Sequence, residues 1–487
     1  MAADADSARS EGSAAARGGA QRAAGFLIGQ LLTVGAVALL FRHLGVDDTG
    51  RYVTVLALVA IVQGLTDLGL TTLGVRELAT VPEGERRALL ADLLGLRLAA
   101  TVTGVALVIG FAAAAGYGWT LVAGTALAGL GLVVQNAGTT LGMDLLVRLR
   151  AGRMAAGDLV RQVVAAGLIV AGVALDADLI VFFALLVPAA LAGFAVVAVS
   201  ALRVSPGREP RRWTPILRQT IPFAVAAAAS ALFFRVAVVE MSLLSTEEQT
   251  GLFGASFRVV EVLSVLPALA VSAIFPVLSR RAAAPGEESR LAAAVERTLS
   301  ACAAAGGFLA LGLALGAPAV IWVVAGDGFD GAVPVLRVQG LALAASFVAA
   351  PWAFALLSLG HERTLMWVNV LGVGAAAAVG AVLIAADGAR GAAIATVVGE
   401  AGLAVAFAVA LTRVRAELRP SWLVLGRVVV ACGAGALAAL LPVAAVLEAL
   451  VGLAVYVVVL GALGGLSDVR ALRGGSAGVA SQSGVAP

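Results

Sequence analysis

The sequence predicts an all-α polytopic membrane protein with 14 transmembrane helices, arranged as two parallel six-helix bundles plus a C-terminal helix pair. Three observations predict this fold class. Of the 487 residues, 61% are hydrophobic and only 13% are charged, whereas about a quarter of the residues in a soluble domain are charged. The apolar residues form runs that are long enough to cross a bilayer. A short loop motif recurs about 200 residues after its first copy, which indicates an internal repeat.

A helix needs about 20 apolar residues to cross a hydrocarbon core of ~30 Å. Fourteen runs meet this requirement, at about 23–41, 52–73, 91–115, 119–142, 159–175, 179–201, 218–242, 253–278, 299–324, 334–358, 366–386, 391–411, 424–445 and 447–464. They predict bundles over 23–202 and 216–412 and a helix pair over 423–464. Residues 1–22 are predicted to be a disordered cytoplasmic tail, and residues 465–487 a second cytoplasmic tail.

The distribution of arginine predicts the orientation in the membrane. All 33 basic residues are Arg; 26 lie in or beside one set of alternate connecting segments, 4 lie in the other set, and 3 lie inside the apolar runs. Positive charge is retained on the cytoplasmic side. The sequence therefore predicts a multi-pass protein of the cytoplasmic membrane with both termini in the cytoplasm. The basic residues form short clusters instead of one stripe, which excludes nucleic acid as the expected partner.

The repeated motif follows the first and the seventh predicted crossing. Residues 44–52 (LGVDDTGRY) and 244–253 (LSTEEQTGLF) are both predicted to be short external loops with paired acids before Thr-Gly and an aromatic residue. Six crossings separate the copies, so the two halves have the same orientation. This predicts two bundles related by an axis along the membrane normal, with a central cavity between them.

The connecting segments are too short to hold a catalytic domain, and no Gly-Lys-Ser/Thr phosphate loop is present. Cys302 and Cys432 lie in separate apolar runs, and His43 and His361 lie in separate predicted loops. These observations predict no disulfide, no metal site and no cofactor. They favour transport or a structural role over enzymatic activity.

Charged residues inside the apolar runs are the best candidates for a site, because each costs about 2.5–3.5 kcal/mol at a helix centre unless it is paired or hydrated. Glu400 lies about 14 Å into the twelfth crossing. Two interpretations remain open: Glu400 faces a cavity and binds a proton or a cation, or it is paired or protonated in a helix contact.

The seventh and eighth crossings carry four further charges. Arg235, directed at an aqueous cavity, would offer a guanidinium group that binds phosphate in a bidentate manner. Glu240 lies five residues later and points about 140° away on the same helix, so it is not a natural partner of Arg235. Arg258 and Glu261 lie one turn apart and are expected to form an ion pair near the surface, or else to contribute to the cavity.

In the first half, Asp67 in the second crossing and Arg97 in the third crossing are close in predicted depth. They are expected to form a structural latch between two helices, and the alternative is direct contact with substrate.

Four motifs carry a resemblance to a known family. Residues 44–52 are followed by 67–70 (DLGL) and 75–79 (VRELA); 250–261 (TGLFGASFRVVE) leads to 275–280 (FPVLSR); and 386–396 (ADGARGAAIAT) precedes Glu400. In this order and membrane position, over residues 22–412, they resemble the polysaccharide transporter family of Wzx-type oligosaccharide flippases, within the multidrug/oligosaccharidyl-lipid/polysaccharide exporter superfamily. Family members often carry an acid two residues after the Arg of the seventh helix, where this chain has Ala237.

The resemblance implies a flippase that moves polyprenyl-diphosphate-linked oligosaccharide by alternating access during surface polysaccharide biosynthesis. The substrate-binding residues would be Arg97, Arg235 and Arg258. The acids for ion coupling or for the cavity wall would be Glu400, Glu240, Asp67 and Glu261. The implied partners are the lipid bilayer, the lipid-linked oligosaccharide, and the glycosyltransferases and polymerase of the pathway, with the flippase itself a monomer.

By analogy with the superfamily, the last two helices would form a lateral groove for the lipid tail. Three alternatives stay open: an exporter of small molecules, an exporter of a lipid precursor, and a membrane scaffold for glycosyltransferases that transports nothing.

Overall fold

The computed structural model describes residues 2–67, 70–201, 204–207, 213–214, 232–233, 235–272, 274–284, 286–439 and 445–465. Within these ranges, ten helices are long and apolar enough to cross a membrane, and a shorter apolar helix covers Leu447–Ala462. The described chain divides into two compact units. The first comprises Met1–Leu243 and Val324–Gly326, and the second comprises Leu244–Val323 and Asp327–Pro487.

The first unit contains seven labelled helices and a further helical stretch over 235–244. The labelled helices are α1 (Ala2–Asp67), α2 (Leu70–Thr80), α3 (Glu83–Ala114), α4 (Trp119–Val147), α5 (Ala151–Ala174), α6 (Leu179–Ala184) and α7 (Leu186–Ala198). Their apolar core includes Leu90, Leu93, Leu141, Met143 and Leu145, which are all buried. The preceding part of the seventh predicted crossing, 218–231, lies outside the described residues.

The second unit contains eight helices and a short 3-10 turn at Ala416–Leu418. They are α8 (Glu247–Leu263), α9 (Val265–Ser272), α10 (Phe275–Ala283), α11 (Glu288–Val324), α12 (Ala332–Ser358), α13 (Glu362–Val414), α14 (Trp422–Ala438) and α15 (Ala445–Ala462). The predicted tail over 465–487 lies outside the described residues except for its first residue.

Two of the predicted external loops are very short, with non-helical backbone at only one or two residues. In α1 the kink is at Gly45 (φ 71°), and in α13 it is at Asp387 and Gly388 (φ 47° at the glycine). A single glycine with positive φ redirects the chain at little steric cost, so a longer loop is unnecessary. Each kink separates two helices, which correspond to two predicted crossings.

The first helix begins at Ala2, which corrects the prediction of a disordered tail over 1–22. The physical reason is the alanine content of this segment, because alanine has the highest helix propensity.

Proline determines where two other predicted crossings are divided. Proline has no N–H, so the carbonyl group four residues earlier loses its helical hydrogen bond. For Pro188, Pro267 and Pro276, that carbonyl belongs to Ala184, Leu263 and Ser272, respectively. Helices α6, α8 and α9 end at these three residues. The crossing predicted over 179–201 is thus two helices, and the one predicted over 253–278 is three.

The all-α polytopic fold is confirmed. When α1 and α13 are counted on both sides of their kinks, the ten long apolar helices correspond to twelve predicted crossings. Helix α15 corresponds to the fourteenth predicted crossing, over 447–464. The seventh predicted crossing, over 218–242, ends in the helical stretch that begins at residue 235.

Equivalent turns pack together in the two units. In the first, His43 at the end of the helical run before the kink contacts the turn between α5 and α6, with Nε2 2.9 Å from the Ala177 carbonyl oxygen. In the second, Gln249 at the start of α8 accepts a hydrogen bond from the Ala389 N–H at the kink of α13, at 3.1 Å. In each unit, the turn that carries the repeated motif therefore contacts the turn four helices later in the predicted order of crossings. His43 is helical, which corrects its predicted place in a loop.

The boundary between the units is at Leu243–Leu244, whereas the sequence predicts that the second bundle begins at 216. The phenol oxygen of Tyr117, in the turn before α4, lies 2.6 Å from Ser242 Oγ. This hydrogen bond holds the 235–244 stretch within the first unit. Burial raises the pKa of Tyr117 above its usual value, so the phenol stays protonated at neutral pH and keeps its hydrogen bond to Ser242.

Helices α14 and α15 pack on α11 through a small apolar cluster and two polar contacts. The hydroxyl group of Tyr456 donates to the Ala304 carbonyl oxygen at 2.7 Å, and Cys432 Sγ lies 3.6 Å from the Gly307 carbonyl oxygen. Tyr456 is fully buried, next to Leu311 and Leu460. The two C-terminal helices are thus fixed to the second unit by directed contacts.

Helices α14 and α15 meet at a pair of glycines, which gives a prediction. A methyl group on Gly435 would lie 2.6 Å from the Gly452 carbonyl oxygen, whereas one on Gly433 would meet nothing within 4 Å. We expect Gly435→Ala to destabilise the protein by about 1–3 kcal/mol through overpacking. We expect Gly433→Ala to be neutral or stabilising, because alanine favours the helix by about 1 kcal/mol. Thermal unfolding in detergent compares the variants, and equal melting temperatures would contradict this packing.

Candidate functional site

Two of the predicted site residues, Asp67 of α1 and Arg97 of α3, form an ion pair. Arg97 Nη2 donates to Asp67 Oδ1 at 2.7 Å, and Nη1 donates to Thr71 Oγ1 at 3.1 Å. The Thr71 hydroxyl group donates to the same Asp67 oxygen at 2.6 Å. The side chain of Arg97 is 4% exposed and that of Asp67 is 34% exposed. The predicted contact between Asp67 and Arg97 is therefore present, and the Asp67 carboxylate group is its more exposed partner.

A buried hydrogen-bond network extends the latch to α4. Asn136 Nδ2 donates to Thr101 Oγ1 at 2.9 Å and to Thr66 Oγ1 at 3.3 Å. Thr66 immediately precedes Asp67, and Thr101 lies one turn after Arg97 and donates to its carbonyl oxygen. The position of the ion pair is thus fixed by three helices, with a side-chain amide between them.

Arg258 and Glu261 form the second ion pair among the predicted residues. Their atoms Nη1 and Oε2 lie 2.8 Å apart, one turn apart in α8, and both side chains are about one-quarter exposed. This is the surface-near pair that the spacing predicts. It is local to one helix and does not by itself bring distant elements together.

Arg235 and Glu240 lie on the 235–244 stretch and are both partly buried. Arg235 has an interaction within the protein. Arg235 does not share an ion pair with Glu240 in the described part of the chain.

Glu400 is 7% exposed and lies on the buried face of α13, together with Leu403 and Phe407. Among the residues that the structure describes, no hydrogen bond or ion pair reaches its carboxylate group. Pairing of Glu400 is thus not observed there, and both a cavity role and a protonated carboxyl group in a helix contact stay open as predictions.

The second unit contains a groove that is lined by only one helix, α14, of the C-terminal pair for which a lipid-tail groove is expected. It has a volume of about 910 Å³ and is bounded by α11, α12, α13 and α14. Its walls are apolar and include Gly307, Val348, Ala404 and Val428.

Two tryptophans and two arginines mark one end of this groove: Trp352, Trp422, Arg413 and Arg419. Both arginines are exposed, and neither forms an ion pair in the described ranges. Sequence analysis counted them only as charges on the cytoplasmic side. The signal that was available is the short run from Arg413 to Trp422, which places three arginines and a tryptophan between two apolar helices.

Arg161 was also missed, because it lies at the edge of the predicted crossing over 159–175 and was counted with the cytoplasmic charges, whereas α5 begins at Ala151, ten residues before it. The residue is therefore inside a membrane span. It lines a cavity of about 30 Å³ together with Gln135, Thr139 and Asp158. Its Nε is buried and has no hydrogen-bond partner within the described residues. A cavity of this size and polarity suits a single water molecule.

The comparison with protein families identifies the chain. A model of the family described as polysaccharide biosynthesis protein matches residues 16–281, more than half of the sequence. The chain belongs to this family. The resemblance carried by the four motifs is thereby confirmed. No curated protein sequence matches the chain.

Solved structures show the fold of this family member. The lipid II flippase MurJ in its inward closed conformation is 11% identical, with 90% of this chain and 97% of that chain covered and a TM-score of 0.73. An inward-facing multidrug resistance MATE family transporter of the MOP superfamily is 17% identical, over 80% of this chain and 95% of that chain, with a TM-score of 0.54.

A further similar structure is a MOP superfamily transporter from Pyrococcus furiosus, at 16% identity, with 84% of this chain and 96% of that chain covered and a TM-score of 0.52. At these identities the likeness establishes the fold alone, that of a polytopic helical membrane protein.

Proposed function

We propose that this family member is a flippase that translocates polyprenyl-diphosphate-linked oligosaccharide across the cytoplasmic membrane by alternating access. The observation that carries the proposal is the apolar groove of about 910 Å³ that ends at Arg413 and Arg419. Membership in the polysaccharide biosynthesis family and the fold supply the context.

The chemistry of the groove suits a lipid that carries an anionic head group. An isoprenoid tail is purely apolar, and the groove walls are mostly Ala, Val, Leu and Trp. The diphosphate is the only charged part near the tail, and guanidinium groups bind phosphate oxygens through two parallel hydrogen bonds. Arg413 and Arg419 lie where the apolar wall ends. The tail would stay in the groove while the diphosphate contacts the arginines.

The predicted site residues have separate roles in this proposal. Arg97 is held by Asp67 and Thr71, so its proposed role is to position the partly exposed Asp67 carboxylate. Arg235 and Arg258 remain proposed contacts for the diphosphate or the sugar. Glu400, Glu240, Asp67 and Glu261 remain proposed acids for ion coupling. The orientation in the cytoplasmic membrane, the cavity between the bundles, the monomeric state and the pathway partners stay predictions.

The function is tested in cells and with purified protein. Cells that lack the protein are expected to accumulate lipid-linked oligosaccharide on the cytoplasmic leaflet and to lose surface glycan, and the wild-type gene should restore both. Liposomes that contain the purified protein should move a fluorescent polyprenyl-diphosphate saccharide between leaflets faster than protein-free liposomes. Normal glycan with no accumulation, together with no translocation, would contradict the proposal.

The alternative is a small-molecule or lipid-precursor exporter with the same fold. The apolar walls of the groove also fit this alternative, because apolar drugs bind apolar clefts, whereas Arg413 and Arg419 favour the flippase, because they fit a diphosphate. Such an exporter would change the efflux of a drug or metabolite, or the supply of a lipid precursor, and leave surface glycan intact. A scaffold without transport activity would tolerate the loss of the groove arginines. Surface glycan in cells that lack the protein therefore separates the exporter from the flippase, and surface glycan in cells that carry the variant without the groove arginines separates the scaffold from the flippase.

Replacing Glu400 with Gln tests ion coupling. Gln has the same shape and removes the charge, and Glu400 has no observed partner to lose in the described chain. If Glu400 binds the coupling proton or cation, Glu400→Gln should reduce translocation to the rate seen without a gradient. Translocation in liposomes with and without a pH or sodium gradient measures this effect. The exposed Glu362 at the start of α13 supplies the control, Glu362→Gln. Stimulation by a gradient that persists in Glu400→Gln would exclude this role.

A further inference from the structure

Pro318 lies inside α11 and has no N–H to donate. The carbonyl group that loses its helical partner is the one four residues earlier, on Ala314. In the structure this oxygen accepts a hydrogen bond at 3.1 Å from Nε of Arg337, which belongs to the neighbouring helix α12.

This hydrogen bond fixes the guanidinium group of Arg337. The residue lies five positions after the start of α12, about 8 Å into the helix. An arginine at such a depth usually extends toward the membrane surface. Here Nε is held by the Ala314 carbonyl oxygen, and within the described chain the two terminal amino groups have no hydrogen-bond or ion-pair partner. The side chain is exposed, so both amino groups are available to a ligand.

Arg337 lies on the same face of α12 that lines the groove. Leu341, Ala344, Val348 and Trp352 follow it at spacings of three or four residues, and the last three line the groove. Leu341 is 58% exposed and continues this face between Arg337 and the groove.

Ala314 likewise lies on the face of α11 that lines the groove. Ala303 and Gly307 line the groove, and Ala314 follows Gly307 by seven residues, or about two turns on the same face. The hydrogen bond between Arg337 and Ala314 therefore lies on the continuation of the groove between α11 and α12. Along α12, Arg337 is about 22 Å from Trp352, which lines the groove together with Arg413 and Arg419.

We propose that Arg337 is a second binding site for a lipid-borne phosphate or diphosphate, at the end of the groove face opposite Arg413 and Arg419. This inference rests on the proposed function and adds a receiving site to it. The terminal amino groups of Arg337 donate two hydrogen bonds to phosphate oxygens, and the exposed face from Leu341 onward contacts the lipid chain. Arg337 is also one of the four arginines on the predicted external side, so it receives the head group after translocation.

Binding of three probes to the purified full-length protein in detergent tests this site. The probes are farnesyl diphosphate, inorganic pyrophosphate and farnesol. The Arg413→Gln/Arg419→Gln variant removes the first site, so its remaining affinity for farnesyl diphosphate reports on Arg337. Adding Arg337→Gln should weaken this remaining binding roughly tenfold or more, as expected for loss of charged hydrogen bonds. Adding Arg363→Gln, an exposed arginine outside the groove, should leave it unchanged.

The probes also distinguish the source of the phosphate. Farnesyl diphosphate should bind the double variant more tightly than pyrophosphate or farnesol, because the site needs both the charge and the chain. Equal binding of pyrophosphate would show a site for free phosphate and overturn the proposal for a lipid. A second variant tests the anchor: Pro318→Ala supplies an N–H for the Ala314 carbonyl oxygen, and the released Arg337 should bind farnesyl diphosphate more weakly.

Failure of this inference differs from failure of the proposed function. Remaining binding that is the same with Arg337→Gln and with Arg363→Gln overturns the second site while translocation by the wild type stands. A wild type that neither binds farnesyl diphosphate nor moves lipid overturns both. If Arg337→Gln does not fold, a photoreactive farnesyl diphosphate bound to the double variant decides the question. Labelling of residues 332–341 supports the site, and labelling only elsewhere overturns it.

Discussion

Replacing Arg413 and Arg419 together with Gln is expected to slow lipid translocation by about two orders of magnitude. A hydrogen bond to a charged group contributes about 1.5–3 kcal/mol, and each 1.4 kcal/mol corresponds to about a factor of ten in an equilibrium constant. Two lost phosphate contacts therefore suffice for an effect of this size. The rate is measured in liposomes with a fluorescent polyprenyl-diphosphate saccharide, and each single variant should show an intermediate rate.

The control for this prediction is Arg363→Gln in the same unit. Arg363 is exposed near the start of α13 and does not line the groove. Its replacement removes one positive charge without changing the site. A double variant that transports as fast as Arg363→Gln would exclude the groove arginines from substrate binding. Equal slowing by Arg363→Gln would instead indicate a general effect of charge on orientation in the membrane.

Replacing Arg97 with Leu is expected to destabilise the first unit by about 3 kcal/mol. Removal of one partner from a buried ion pair leaves an uncompensated charge, which costs about 3–5 kcal/mol. The lower end applies here because the Asp67 side chain is 34% exposed. Thermal unfolding in detergent should show a lower melting temperature for Arg97→Leu. The double variant Asp67→Leu/Arg97→Leu should recover much of the loss, because it leaves no unpaired charge.

The matched control is Arg290, whose ion pair with Glu287 is on the surface, with the Arg290 side chain 72% exposed. Exposed pairs contribute about 0–1 kcal/mol, so Arg290→Leu should change stability little. If Arg97→Leu and Arg290→Leu unfold at the same temperature, the latch is not a structural element.

Local sequence features predicted much of the fold. The lengths of the apolar runs identified the crossings, and the i, i+3 spacing of Arg258 and Glu261 predicted their ion pair, because both properties depend only on neighbouring residues. The breaks at Ala184, Leu263 and Ser272 follow from a proline four residues later in each case. The kinks at Gly45 and Gly388 were harder to predict, since a polar segment after an apolar run is typical of a loop and of a kink alike.

The candidate site residues could also be predicted only in part from the sequence. The predicted depths of Asp67 and Arg97 in the membrane indicated that they could pair. The hydrogen bond from Arg97 to Thr71 and the network through Asn136 form only when helices α1 to α4 pack together.

By itself, the sequence determined that this chain lies in a membrane, which apolar segments form its membrane-spanning helices, and to which family it is related. Only the tertiary structure decided that four helices separated by up to about 130 residues enclose one groove. It also decided that Arg337 binds the Ala314 carbonyl oxygen, which Pro318 leaves without a partner. The reason is physical. Hydropathy and helix propensity act over a few residues, whereas a groove and its charges depend on which helix faces meet in three dimensions.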